Sequence, residues 1–172
     1  MLALTERDNV KSFSEYSKPL NKKFVGLFLE RESEEALRRW VIKSGFDITK
    51  DYSGKEIAPE DFDFHSTIFY TTSEHNTTNG SFEIEPFELT FSKFELLGKQ
   101  NNVPVLKLDT DNEKLIKIRK RFEMMGYKDE WPEFKPHISL SYSYNGTPAL
   151  DTLELPDIMI LANRIRIEDQ DS

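Results

Sequence analysis

Cysteine is absent from the 172 residues. That removes disulfides, thiolate metal sites and cysteine nucleophiles together, and it fits a reducing compartment. Long apolar runs are absent as well. Nothing approaches the roughly 18 residues that would cross a bilayer, and the opening stretch MLALTERDNVKSFSEYSK has no apolar core of a secretory signal. A cytoplasmic protein without a membrane partner is the expectation. Histidine is scarce, with three. None stands in a His-x-x-x-His or His-Glu-x-x-His pattern, so neither a metal nor another cofactor is expected. Positive charge is in deficit, with 23 Lys and Arg against 31 Asp and Glu and a net charge of −8. Affinity for long nucleic acid rests on neutralising many phosphates, so that partner is disfavoured. A small phosphorylated ligand held by a few local groups is not.

Apolar residues make up 37% of the chain and aromatic ones 12%, with 13 Phe. This is enough for a packed core in one domain. The whole of residues 1–172 is read as that domain, with 1–21 an N-terminal arm and 168–172 a tail. A monomer or weak oligomer is expected.

Hydrophobic periodicity divides the chain into two similar halves. Residues 24–29 form a short apolar strand, and apolar residues at Ala36, Leu37, Trp40 and Val41 then mark a helix over 32–44, stopped by Gly45. After a loop over 46–61, a strand from Phe62 to Thr72 carries His65. Residues 73–85 are read as a turn-rich loop, Pro86 to Leu97 as a strand, and 98–102 as the turn of a hairpin into Val103–Leu108. Thr110 and Glu113 have the spacing of a capping box before a helix that ends at Gly126. A loop over 127–135 precedes a strand from Pro136 to Tyr144 that carries His137. A last strand runs from Ile158 to Ile167. The order strand–helix–loop–strand with histidine thus occurs twice, and the two histidines lie 72 residues apart. The predicted fold is α+β: two pseudo-symmetric strand–helix–strand lobes with antiparallel-rich sheets around a central groove.

His65-Ser66-Thr67-Ile68 and His137-Ile138-Ser139-Leu140 both read His-x-(Ser/Thr)-apolar. On a strand, residues i and i+2 share a face, about 6.5–7 Å apart. An imidazole with a pKa near 6.5 can take or give a proton at neutral pH, and a hydroxyl beside it can hold a phosphoryl oxygen where charge develops. Two such pairs facing each other would flank one phosphodiester. Two of three histidines meeting this pattern by chance is roughly a 1% event when counted by composition.

The paired motifs resemble those of the 2H phosphoesterase superfamily, over about residues 22–144. Within it, FHSTIFY (64–70) and FKPHISLSY (134–142) resemble the phage anti-CBASS phosphodiesterases, which degrade the cyclic di- and trinucleotide signals of a bacterial defence. The resemblance implies a metal-independent phosphodiesterase acting on 3′–5′ bonds of a small cyclic nucleotide, in the host cytoplasm. His65 and His137 would be its acid–base pair, with Thr67 and Ser139 as phosphate-holding hydroxyls. Ser139 stands where Thr is common in the family. Two rival readings stay open. One is a 2′,3′-cyclic phosphodiesterase or RNA end-processing enzyme of the same superfamily. The other is a sponge that binds a cyclic nucleotide without cutting it.

The remaining candidates carry weaker signals. Trp131, in the acidic loop before the second motif, and Tyr16, in the arm, are candidates for stacking on a base. Tyr70 and Tyr142, five residues after each histidine, fall on the opposite strand face by strict alternation and are read as packing. Trp40 is read as core, His75 as a loop residue, and Asp61 and Asp63 as solvating a strand entrance. Lys117, Arg119, Lys120 and Arg121 are read as a solvated helix face.

Overall fold

The computed structural model describes residues 20–170. Tyr16 lies outside them. Among the described residues the chain forms seven strands and two α-helices. In order these are β1 (Asn21–Leu29), α1 (Arg31–Ser44), β2 (His65–His75), β3 (Gly80–Leu89), β4 (Phe91–Leu97), β5 (Val103–Leu108), α2 (Glu113–Met124), β6 (His137–Ser139) and β7 (Ile160–Asp169), with 3-10 turns at Pro59–Asp61 and Leu150–Thr152. The expected α+β class and duplicated order are borne out. The strands join into one antiparallel sheet in the order β3–β7–β1–β2–β6–β5–β4.

Each helix follows from a buried stripe. On α1 the buried residues are Ser33, Leu37 and Val41, four apart, and Gly45 closes the helix in the left-handed conformation with φ 101°. On α2 they are Leu115 and Phe122. These residues share one core with Val25, Leu27 and Leu29 of β1, Ile68 and Phe69 of β2, Leu106 and Leu108 of β5, and Ile138 of β6. Both helices therefore cover the same face of the sheet. The opposite face carries the alternate residues, His65 and His137 among them.

Several local expectations give way. The cap of α2 is Asn112, whose side chain accepts from the amides of Lys114 and Leu115, not a Thr110–Glu113 box. The 73–85 segment is mostly strand: β2 runs on to His75 and β3 begins at Gly80. His75 therefore ends a strand and stacks on Tyr127 at 4.3 Å between ring centroids. The run from Pro86 to Leu97 is two strands that sit at opposite edges of the sheet. Alternation alone does not register the crossing at Thr90. The second motif strand is only three residues long, with the Leu140 amide donating once more to the Pro104 carbonyl of β5 at 2.8 Å. The final strand extends to Asp169.

Strands β2 and β6 meet along a single pairing, Ser66 opposite Ile138. Ile138 is fully buried there, and so is Ser66, whose hydroxyl has no hydrogen-bond partner. Opposite outcomes follow for the two side chains. Ile138→Ala should cost about 2–5 kcal/mol through the cavity left behind. Ser66→Ala should be neutral or stabilising, since it removes an unsatisfied polar atom. Urea unfolding of both variants checks this, and a destabilised Ser66→Ala would show that the hydroxyl is partnered in solution.

Candidate active site

Antiparallel pairing of Ser66 with Ile138 places His65 opposite Ser139 and Thr67 opposite His137. Residues opposite each other point to the same face. The four motif side chains thus form a quadrilateral on the face away from the helices. Its histidines sit on one diagonal, with Cα atoms about 7–8 Å apart. The separation leaves room for one phosphoryl group between two imidazoles.

Both imidazoles are held alike. Nδ1 of His65 donates to the Asp63 carbonyl at 3.0 Å, and Nδ1 of His137 donates to the Lys135 carbonyl at 2.7 Å. A carbonyl can only accept, so each Nδ1 carries the proton and each Nε2 is left to accept or donate one. Both rings are half-buried. Burial is the main reason that both pKa values lie below the ordinary 6.5, and the second histidine's charge lowers His137 further. The backbone carbonyls act in the opposite sense, as acceptors that favour the imidazolium.

The walls differ on the two sides. His65 stacks on Phe28 at 5.1 Å and meets Phe24 edge-on at 5.5 Å. Gly26 between them makes this approach possible. A Cβ there would lie 2.6 Å from Cζ of Phe24 and 2.8 Å from Cε1 of Phe28. The Arg166 guanidinium lies 3.7 Å over the Phe28 ring and pairs with Asp63 at 3.3 Å. Asp63, expected only to solvate a strand entrance, therefore orients His65 through its carbonyl and Arg166 through its carboxylate. On the other side, His137 lies opposite Lys107 on β5, which pairs with Glu95 at 3.4 Å. Each histidine has a cation–carboxylate pair beside it. The groove thus offers cations locally although the chain is acidic overall.

Of the two tyrosines read as packing, Tyr70 lies instead on the histidine face. The register of β1 with β2 shifts between Val25, opposite Phe69, and Gly26, opposite Thr67. The extra residue, Ile68, makes a β-bulge that puts two successive side chains, Ile68 and Phe69, into the core. Alternation resumes one residue late, so Tyr70 faces the histidine side, where it is 38% exposed and packs on Phe24 at 5.3 Å. The signal in the sequence was the unbroken apolar run Ile68-Phe69-Tyr70. Tyr142 lies beyond the end of β6, where alternation no longer applies. It packs against the core as expected, with its ring stacked on Phe62 at 5.5 Å, and burial raises its pKa.

Trp131 is 61% exposed, as a stacking candidate must be. Its segment runs beside β2: the Thr72 amide donates to the Lys128 carbonyl at 2.9 Å, and the Glu130 amide donates to the Tyr70 carbonyl at 2.7 Å. Trp40 packs on Phe94 and Phe46, as expected of a core residue. Arg119 is not solvated. Its side chain is 14% exposed and lies over the rings of Phe69 and Phe134. Among the described residues no group of three His, Cys, Asp or Glu side chains converges to hold a metal ion, and no helix is long and apolar enough to cross a membrane.

The aromatic wall gives a direct test of the electrostatics. Folded-state pKa values below 6.5 for both histidines mean that the unfolded chain takes up these protons first. Stability is therefore full above about pH 6.5 and declines as pH falls through the lowered folded values. In Gly26→Ala the two rings must shift, and His65 should titrate closer to 6.5 than in the unaltered protein while His137 stays put. Titration of the imidazole ring protons by NMR reads both sites, and an unmoved His65 would contradict the burial argument.

A model of the family described as anti-CBASS protein Acb1 matches residues 21–171. Among solved structures, the crystal structure of E. coli LigT complexed with 3′-AMP matches with a TM-score of 0.51 and 12% identity, over 87% of each chain. At that identity the likeness is one of fold. A search of the curated proteins found no match. The expected resemblance to anti-CBASS proteins is borne out by the family match, and the fold is shared with LigT.

Proposed function

The chain belongs to the anti-CBASS protein Acb1 family, and on that premise we propose that it is a phosphodiesterase that opens 3′–5′ bonds of a small cyclic oligonucleotide signal by two-histidine acid–base catalysis. One observation carries the reading. Two imidazoles with identical Nδ1-to-carbonyl anchors lie on the diagonal of one quadrilateral, with a hydroxyl opposite each.

The chemistry follows from that arrangement. One neutral imidazole takes the proton from a ribose 2′-OH through Nε2. The 2′-oxygen attacks phosphorus, and the P–O5′ bond breaks. The other imidazole, protonated, delivers its Nε2 proton to the departing 5′-oxygen. A 2′,3′-cyclic phosphate results. Water then opens it, with the two histidines exchanging roles. Thr67 and Ser139 donate to the non-bridging oxygens as their charge grows. The pairs Arg166–Asp63 and Lys107–Glu95 present cations that an entering phosphodiester can share. An anion between the rings favours the imidazolium that the free site disfavours.

The active form has one histidine protonated and one neutral. Because both are shifted below 6.5, kcat/KM should peak on the acid side of that value and fall as pH rises, since the free enzyme loses its acid. In EDTA, purified protein should linearise cyclic di- or trinucleotides. His65→Ala and His137→Ala should each lose roughly 10²–10⁴-fold in rate, and Thr67→Ala and Ser139→Ala roughly 10²–10³-fold. Cleavage confined to 2′,3′-cyclic mononucleotides or linear RNA would keep the chemistry and overturn the substrate. Tight binding without cleavage would make the protein a sponge.

A further inference from the structure

Arg119 stands on α2, on the helix side of the sheet, yet its contacts converge on the groove's rim. Its guanidinium donates to the Ile68 carbonyl, at the bulge, and to Asp129 Oδ2 at 3.1 Å. Its Cζ lies over two aromatic rings, 4.3 Å from the Phe69 centroid and 4.1 Å from that of Phe134. Asp129 is itself 8% exposed in its side chain. Its other oxygen accepts from the Tyr70 amide at 3.3 Å and the Trp131 amide at 3.4 Å. One cation therefore ties together the bulge that turns Tyr70 toward the histidines, the segment that carries Trp131, and the helix behind them.

We propose that Arg119 is a positioning residue for substrate: through the Ile68 carbonyl and Asp129 it sets Tyr70 and Trp131 as one rigid aromatic wall beside the histidine pair. Each feature of the contact has a reason. The Ile68 carbonyl is displaced from regular pairing by the bulge, and a guanidinium satisfies it without water. A planar cation over two rings gains from both. Nη1 alone serves both the carbonyl and the carboxylate, while the planar guanidinium around it packs on both rings, which a lysine ammonium on a flexible stem does poorly. The pair is buried, so loss of either member strands the other. The wall so fixed presents 38% and 61% of its two side chains to solvent, where a planar group can lie against them.

The kinetic part of this inference rests on the phosphodiesterase reading, so the test has two arms. The first compares Arg119→Lys, Arg119→Gln and Asp129→Asn with the unaltered protein on a cyclic dinucleotide. KM should rise roughly tenfold, the order expected from loss of one stacked base, with kcat changed far less. Arg119→Lys should not restore it. A KM that stays within twofold, or rescue by lysine, would overturn the positioning role. The second arm needs no turnover. Amide exchange at Tyr70 and Trp131 should accelerate in Asp129→Asn, while exchange at Val25 and Leu27 in the sheet core is unchanged. Unaltered exchange at Tyr70 and Trp131 would overturn the inference even in an inactive protein. Failure of the unaltered protein to cut any nucleotide would overturn the phosphodiesterase reading alone.

Discussion

One backbone pairing holds this molecule's logic together: Ser66 against Ile138. It joins two strand–helix–strand halves into a single seven-stranded sheet. It also decides, by the period-2 geometry of strands, that His65, Thr67, His137 and Ser139 share one face. A slip of one residue there would send one histidine into the core under the helices. Fully buried Ile138 and Leu106 beneath the joint make such a slip costly, so the same apolar packing that stabilises the fold also fixes the register of the four motif side chains.

The halves are alike in plan and different in lining. Both histidines hang on a carbonyl two residues upstream, which fixes the same tautomer twice. Around His65, however, the sheet supplies Phe24, Gly26 and Phe28, whereas around His137 it supplies Lys107 and Glu95. A symmetric pair of imidazoles therefore sits in asymmetric surroundings, with an aromatic side and a polar one. An asymmetric ligand has only one good way to lie across it. That is what a site needs if it must cleave one bond of a cyclic nucleotide in a fixed orientation.

The histidine pair and the duplicated order were legible in the sequence because they depend only on local spacing. What was not legible depended on departures from spacing. Strict alternation puts Tyr70 on the wrong face, and a one-residue bulge at Ile68 reverses it. Helical periodicity makes Arg119 part of a basic, solvated stripe. The residues that bury it, Phe69, Phe134 and Asp129, come from a strand and a loop that no helix pattern reports. The run from Pro86 to Leu97 alternates well, yet alternation carries no information on which edge of the sheet each half joins. Asn112, and not Thr110, caps α2, because either residue type suits the role and the first turn's position decides between them.

The central claim is that two equivalent imidazoles share one proton across one phosphodiester. Its most direct test is a nitrogen-15 NMR measurement of both histidine rings with a 2′-deoxy cyclic dinucleotide, which lacks the attacking hydroxyl and so binds without being cut. Both Nδ1 atoms should stay protonated, and on binding one Nε2 should gain a proton while the other stays free. Two neutral Nε2 atoms in the bound state, or titration at Nδ1, would contradict it.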